Sequence, residues 1–414
     1  MSKPSQQKAS LLTIFITVFI DMLGVGIIIP VIPALFFEES TAILDPSYTE
    51  AQRSILYGFI IASYPILQFF GAPLLGALSD RYGRKPMLTM SLFGTMIGYL
   101  LFAWAIKEGW LVLLFLSRML PGFTGGNISI ILSSIADVSD AQSKTRNFGL
   151  VGTAFGLGFI LGPTLGGVLA DNTVVSWFGP ETPFYFTAII TLLNILLVWY
   201  RFRETLQKAS QVPFSLFRGF KNIAKSFAAP NLRGIFTVVL GLSLGFTFFT
   251  QFYAVILIQD FDYTEKNIGL LFGWIGIWLA ITQGLIVRKL SNIVAPKFIL
   301  QFTILTLSIG IALVLLPDQA WWFYVIAPVI AISQGITSPN MTSVISEQAN
   351  ADQQGEILGI NQSMQSLGQA IPPIIAGYLN AIDNRLPMVA AAGIIFIAWV
   401  IYMILFGGRK NKIG

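Results

Sequence analysis

The chain has 414 residues, 55% of them hydrophobic and 11% charged, with a formal net charge of +5. Soluble domains carry roughly a quarter charged residues, so too few polar side chains exist to coat a water-facing surface of this size; the mean hydropathy of +0.73 agrees. Cys and His are both absent, which excludes a disulfide framework, thiol redox chemistry, a Cys/His metal site and a His-based triad.

A membrane-spanning helix needs about 20 mostly apolar residues. Twelve such runs are predicted, over 11–36, 54–78, 86–106, 110–136, 146–170, 183–202, 233–259, 266–288, 297–316, 321–346, 356–380 and 387–406. The first apolar stretch, Leu11 to Phe37, is too long for a signal-peptide core and no small-residue cleavage site follows it, so it reads as the first span. Thr49 followed by Gln52 predicts a capping box opening the second run. Pro86 and Pro296 fall in the first turns of the third and ninth, where a missing N–H costs nothing.

Lys and Arg set the orientation. With both termini inside, 20 of the 25 basic residues fall on inner segments. Arg53, Lys107, Lys266 and Arg385 lie outside, and Arg118 falls inside the fourth run. This basic side faces an anionic inner leaflet, so membrane lipids account for it and no nucleic-acid partner is needed.

The longest inner loop divides the chain. The expected architecture is all-α and integral to the membrane: a six-helix bundle over 1–203, a linker over 204–232, and a second six-helix bundle with a short tail over 233–414. Within the linker, Leu216, Phe217, Phe220, Ile223, Ala224 and Phe227 share one helical face and Arg218, Lys221, Asn222 and Lys225 the other. That pattern fits a helix in the membrane interface, or a simple tether. A shift of 210 residues without gaps superposes Gly125 on Gly335, Gly149 on Gly359, Gly158 on Gly368, Pro163 on Pro373 and Gly167 on Gly377. The fourth and fifth runs therefore repeat as the tenth and eleventh, and duplicated bundles place a substrate site near the midplane.

Two segments suggest moving parts. The inner loop after the second run reads Gly76-Ala-Leu-Ser-Asp80-Arg81-Tyr-Gly83-Arg84-Lys85-Pro86. Gly76 permits close helix contact, Gly83 a tight turn, and Asp80 can pair with Arg81 or Arg84. A basic topogenic loop explains the arginines but not the glycine–aspartate spacing. In the fifth run Gly152, Gly156, Gly158, Gly162 and Gly166 fall within about a 160° arc. Such a groove admits a neighbouring backbone, whether as ordinary packing or as a gate, and Pro163 can bend the helix.

Asp21 and Arg118 are the only acid and the only base well inside apolar runs. A charge at membrane depth costs about 3 kcal/mol on insertion scales, so each should face a cavity or a partner. An Asp so placed can take up and release a proton as its surroundings change; Arg118 stays charged and would stabilise the ionised acid. A fixed interhelical ion pair or hydrogen bond would also place Asp21 there, and snorkelling would also place Arg118. Other polar residues within the runs are candidate cavity lining: Tyr64 and Gln68, which share a face with Tyr57, then Asn127, Gln251, Gln334, Asn340, Asn361 and Gln365. Phe249, Trp274 and Trp278 could stack on a planar or cationic cargo. For each of these, interhelical packing is the alternative.

The inner loop, together with Asp21-Met-Leu-Gly24-Val-Gly26, Arg118-Met-Leu-Pro-Gly122 and Gly158-Phe-Ile-Leu-Gly162-Pro163-Thr-Leu-Gly166-Gly167, resembles the major facilitator superfamily over about residues 11 to 406. Within it the motifs are similar to those of the twelve-helix drug:proton antiporters, in the branch that includes the tetracycline efflux pumps. The resemblance implies alternating access, a cell inner membrane location with both termini cytoplasmic, a monomer, and small-molecule and proton partners without cofactor or metal. It links Asp21 and Arg118 to proton coupling. It also implies that the Gly158–Gly167 groove packs against the opposite half and seals the outside.

Tetracycline pumps of this branch commonly carry acids in the third and ninth helices and a histidine in the eighth; this chain has none of these. Near Gly284, Arg288, Lys289 and Pro296 the second copy of the loop motif lacks its acid, which suggests an asymmetric inner gate. The expected function is export of small amphipathic compounds in exchange for protons. A symporter, an exporter of a metabolite, siderophore or lipid, and a non-transporting receptor or scaffold are the alternatives. No nucleophile–base constellation supports an enzyme.

Overall fold

A computed structural model describes residues 3–38, 43–125, 127–139, 144–206, 221, 224, 230–290, 293–346 and 354–406. The expected interfacial face of the linker lies largely outside the described residues. The first half of the chain forms α1 (Lys3–Phe37), α2 (Glu50–Tyr82), α3 (Arg84–Glu108), α4 (Leu111–Thr124), α5 (Asn127–Val138), α6 (Lys144–Ala170) and α7 (Thr182–Arg201). The second forms α8 (Pro230–Phe261), α9 (Glu265–Ile281), a π-helical turn (Thr282–Ile286), α10 (Val287–Leu290), α11 (Pro296–Leu313), α12 (Trp322–Ser346), α13 (Gln354–Ala370), α14 (Pro372–Ile382) and α15 (Leu386–Phe406). No strand occurs among the described residues.

Nine helices among the described residues are long and apolar enough to cross a membrane, and α6 adds the shorter apolar stretch Gly156–Ala170. Two expected spans fall below that measure for visible reasons. Ser333, Gln334, Thr337, Ser338 and Asn340 dilute α12, and the run over 356–380 is interrupted at Ile371, just before Pro372 and Pro373. The expected capping box is present: the Thr49 amide donates to Gln52 Oε1 at 2.9 Å and the Gln52 amide to Thr49 Oγ1 at 3.3 Å.

The fourth span departs from the single helix expected over 110–136. It is helical over Leu111–Thr124 and again over Asn127–Val138, with Gly125 non-helical. Pro121 removes a helical donor, and glycine, as at Gly125 and Gly126, loses the most backbone freedom on entering a helix. Backbone polar groups have no water to turn to within a bilayer, and neighbours serve them here. The Gly125 amide donates to the Pro121 carbonyl at 2.6 Å. Gln68 Nε2 donates to the Gly125 carbonyl at 3.2 Å, and Ser91 Oγ to the Thr124 carbonyl.

The chain resolves into two compact units. The first comprises Met1–Tyr48, Ser63–Arg218 and Tyr263–Gly273; the second comprises Thr49–Ala62, Gly219–Asp262 and Trp274–Gly414. In the first, α6 lies along α1 with backbone touching backbone. A Cβ on Gly162 would sit 2.7 Å from the Leu23 carbonyl oxygen, and one on Gly166 would sit 2.5 Å from that of Ile27. Of the groove residues, Gly158, Gly162 and Gly166 pack on α1, in the same half of the sequence, unlike the expected contact with the opposite half. Pro163 and Gly167 instead meet the start of α9, where a Cβ on Gly269 would lie 2.5 Å from the Pro163 carbonyl and 3.2 Å from Gly167 Cα.

The second unit repeats that contact with different residues. A Cβ on Gly58 would run into the Pro373 carbonyl and lie 3.1 Å from Gly377 Cα. Pro373 and Gly377 are the partners of Pro163 and Gly167 under the shift of 210 residues, so the duplication appears as the same glycine-on-glycine contact twice.

Side chains added at these crossings should therefore be costly, whereas nothing lies within 4 Å of a Cβ at Gly156 or Gly393. Gly162→Val and Gly377→Val are expected to destabilise the detergent-solubilised protein by about 1–3 kcal/mol each, read as a lowered thermal unfolding midpoint. Gly393→Ala should leave the midpoint in place. A Gly162→Val midpoint equal to that of Gly393→Ala would contradict the packing described.

Candidate functional site

Asp21 lies in the middle of α1, and the first residue of α5 reaches it: Asn127 Nδ2 donates to Asp21 Oδ2 at 2.6 Å. Arg118, in α4, is 8% exposed. Its guanidinium carbon sits 4.9 Å from the centroid of the Tyr64 ring, a cation–π contact from α2. Tyr64 Oη accepts from Gln68 Nε2 at 3.4 Å. Tyr64 and Tyr99 are both within electrostatic range of Asp21 and Arg118. The Tyr99 hydroxyl rests against the α1 backbone at Gly24, leaving no room there for a side chain. Five sequence candidates, Asp21, Arg118, Tyr64, Gln68 and Asn127, thus converge in the first unit. Tyr99 joins them without having been expected, since an aromatic in an apolar run carries no signal of its own.

The start of α5 faces a carboxyl group, and the positive end of a helix dipole favours negative charge there. Arg118 keeps its charge against an aromatic face. An acid held by a neutral donor can take up and release a proton, while the guanidinium keeps its charge throughout.

The inner loop builds a second cluster, at the junction of α2 and α3. Gly83 has φ +107, a backbone region that favours glycine. Arg84 folds back from it, with Nη1 2.5 Å from Asp80 Oδ1 and 2.7 Å from Ser79 Oγ, and Nε 3.0 Å from Asp137 Oδ2 near the end of α5. Thr205 Oγ1 also donates to Asp137 Oδ2, at 3.2 Å. Arg81, the other possible partner of Asp80, lies over the Tyr82 ring at 5.4 Å. Gly76 faces Ser129 of α5, whose Oγ would lie 3.3 Å from a Cβ there.

Glu204, just past α7, caps the start of α3. Its carboxylate accepts from the amides of Arg84 and Lys85 at 2.9 and 3.1 Å, and from those of Thr205 and Leu206 at 3.0 and 2.9 Å. Burial works against its charge, but the four amides prevail and hold the carboxyl below its ordinary value of 4.5. Sequence reading missed both Asp137 and Glu204. The available signal was an α3 start of Arg84-Lys85-Pro86 with no acid of its own to serve the helix N-terminus.

The second unit contains a cavity of about 240 Å³. Gln334 of α12 and Asn361 and Gln365 of α13, all expected as lining, border it together with Thr337, Ser338 and Gln369. Phe246 and Met341 supply apolar wall, and none of the lining residues is charged. Asn361 is 7% exposed, and its Oδ1 has no hydrogen-bond partner among the described residues.

Two expected lining residues are not part of this wall. Asn340 is buried and donates to its own helix at the Ile336 carbonyl, 2.7 Å away. Gln251 is represented by its carbonyl, which accepts from Tyr57 Oη at 2.5 Å. Phe249 is 2% exposed and stacked on Tyr253, so it is core rather than a stacking platform. Trp274 and Trp278 meet edge to face, and Trp274 Nε1 donates to the Tyr324 carbonyl at 3.0 Å.

Residues 14–373 match the family model described as Major Facilitator Superfamily. The chain is 30% identical over 380 residues to the class C tetracycline resistance protein of Escherichia coli, covering 90% of each chain. It is 29% identical over 405 residues to the class E tetracycline resistance protein of the same organism, covering 95% of this chain and 94% of the relative. Among solved structures, the human organic anion transporter MFSD10 (TETRAN) superposes with a TM-score of 0.72 at 20% identity, covering 96% of this chain and 99% of that one. A D-xylose-proton symporter superposes with a TM-score of 0.73 at 16% identity, covering 95% and 96%. At those identities the superpositions speak for the fold alone.

Because the Glu204 carboxyl titrates below its ordinary value, its stabilisation is complete above pH 4.5 and is lost as the pH falls through the lower folded value. Glu204→Gln is expected to lower the thermal unfolding midpoint near neutral pH, with the gap to the unsubstituted protein closing on acidification below pH 4.5. A gap that does not change with pH would show that charge on Glu204 plays no part in the cap.

Proposed function

The chain belongs to the Major Facilitator Superfamily, whose members are multi-pass membrane transporters of small molecules and not enzymes, and on that premise we propose that it exports small amphipathic compounds in exchange for protons. The observation that carries the reading is the Asp21 carboxyl, deep in α1, held by Asn127 at 2.6 Å, with Tyr64 beside it within electrostatic range of both Asp21 and Arg118. Asp21 is the proton site. Arg118 supplies the positive charge that stabilises the ionised acid and changes its influence as the surroundings change. The cargo occupies a cavity to which Gln334, Asn361 and Gln365 contribute hydrogen bonds. Names of the relatives support a drug-like cargo, since several are tetracycline resistance proteins.

In this proposal the protein resides in a cell inner membrane with both termini cytoplasmic, as the distribution of Lys and Arg supports. It acts as a monomer of two six-helix halves, over 1–203 and 233–414, joined by the linker over 204–232. The Asp80–Arg84 cluster and the Gly158–Gly167 stripe form its inner and outer gating elements.

A second reading differs only in cargo. Arg118 is the only base well inside an apolar run, and it lies against the Tyr64 ring. An anionic cargo could use that guanidinium directly.

Everted vesicles energised to an acid interior separate these readings. Tetracycline, a lipophilic cation and an organic anion are added in turn, and gradient collapse is followed with a pH-sensitive dye. At least one compound is expected to collapse the gradient, and Asp21→Asn is expected to abolish that response. A full response in Asp21→Asn would remove Asp21 from proton coupling. Asn361→Ala should raise the half-saturating concentration of the responding compound with the maximal response kept.

A further inference from the structure

In the cavity of the second unit, the polar atoms with the most restricted roles are acceptors. Asn361, Gln365 and Gln369 recur every four residues along α13 and all border the cavity, so their carboxamides form one stripe that rises about 6 Å per step. Thr337 and Thr342 of α12 border the same space with their hydroxyl hydrogens already engaged. Thr337 Oγ1 donates to the Ser333 carbonyl at 2.7 Å and to Thr303 Oγ1 at 2.9 Å, and Thr342 Oγ1 donates to the Ser338 carbonyl at 3.1 Å. These two hydroxyls have only lone pairs left to offer. Asn361 is buried, and its Oδ1 is enclosed with no hydrogen-bond partner among the described residues. A turn about χ2, a soft torsion in Asn, presents that oxygen to the cavity. Phe246 of α8 and Met341 of α12 supply apolar wall, and no lining residue carries a charge.

We propose that this cavity selects an uncharged, hydrogen-bond-donating edge of its cargo, an amide N–H or a hydroxyl carried on an apolar ring, and that Asn361 sets the requirement. The inference rests on the reading of the chain as an exporter of amphipathic compounds and names the class of compound. A buried carboxamide oxygen without a partner bears a desolvation cost that a donor on the cargo removes. A methylated or deprotonated group leaves that cost in place. An anion would meet lone pairs and no counter-charge, and a cation would leave water with no carboxylate to pair with. A site built on hydrogen bonds rejects an analogue that lacks the donor more sharply than an apolar pocket does, because its own polar groups are then left unpaired. Drug-sized ligands fill about 300–1,000 Å³, so a cavity of about 240 Å³ takes one edge of such a molecule. Phe246 and Met341 then cover the face of the adjoining ring.

Compounds that share one ring and differ only in donor and charge test this directly. Naphthalene-2-carboxamide is neutral and has N–H donors, and its N,N-dimethyl derivative is neutral and has none. Naphthalene-2-carboxylate is an anion, and naphthalene-2-carboxamidine is a cation with donors. Their dissociation constants for the full chain in lipid nanodiscs are measured by ligand-observed NMR, with empty nanodiscs as the blank and no pH gradient. The carboxamide is expected to bind about tenfold more tightly than each of the others. Asn361→Leu should bring the carboxamide and its dimethyl derivative to within about twofold of each other. Asn361→Asp, nearly identical in shape, should make the amidine the tightest binder, through a paired carboxylate and amidinium. Equal binding of the carboxamide and its dimethyl derivative to the unsubstituted protein overturns the proposal. So does tightest binding of the carboxylate, no binding of the carboxamide, or an order of affinities that neither Asn361 variant changes. Proton exchange is read separately in vesicles. Failure of the donor requirement while Asp21→Asn still abolishes gradient collapse removes only this inference; collapse retained in Asp21→Asn removes the proton-site reading and leaves the binding result standing.

Discussion

A carboxyl group in the middle of an apolar helix must be compensated where it stands, and here the compensation is an amide 2.6 Å away. That one contact accounts for much of what surrounds it. The amide belongs to Asn127, and a continuous helix over the expected fourth span would carry on through the two preceding glycines. Stopping at Thr124 and restarting at Asn127 puts the beginning of a helix, with its excess of positive charge, against Asp21. The interruption exposes backbone carbonyls, and Gln68 and Ser91 are where they are to receive them. Gln68 in turn meets Tyr64, and Tyr64 holds Arg118. Polar residues in five helices are thus tied to one another by the need to leave no charge or backbone group unserved in hydrocarbon.

Glycine plays the complementary role of bringing backbones close enough for such short side chains to reach. Without a hydrophobic force between helices inside lipid, close van der Waals contact is the main source of cohesion. The α1–α6 crossing at Gly158, Gly162 and Gly166 is one case. The Gly269–Gly167 and Gly58–Gly377 crossings are another, made twice by the duplicated segments. A duplicated chain that kept this contact in both copies did so while other positions diverged: the inner-loop acid Asp80 has no counterpart in the second copy.

The sequence made the spans legible because hydropathy over 20 residues is a strong signal, and Asp21 and Arg118 legible because charges there are rare and costly. The capping box at Thr49 was readable because both of its bonds span three residues. Partnerships across long separations were not. Arg84 finds Asp137 at 53 residues and Glu204 at 120, and nothing local marks either acid. The break at Gly125 was hidden because glycine is common in membrane helices, so a pair of glycines reads as packing as easily as interruption. Asn340 illustrates the converse: a buried amide suggests a ligand contact, yet its donor is satisfied one turn back along its own helix.

The two units differ in the kind of polarity they bury. The first holds a carboxyl group, a guanidinium and two phenols in one cluster; the second holds an uncharged cavity of amides and hydroxyls with one buried amide oxygen unserved among the described residues. Under the proposed exchange of cargo for protons, this difference is a division of labour. A neutral hydrogen-bonding wall recognises cargo without perturbing a nearby titration, because it adds no charge. An acid embedded in another unit responds to protons without depending on which cargo is bound.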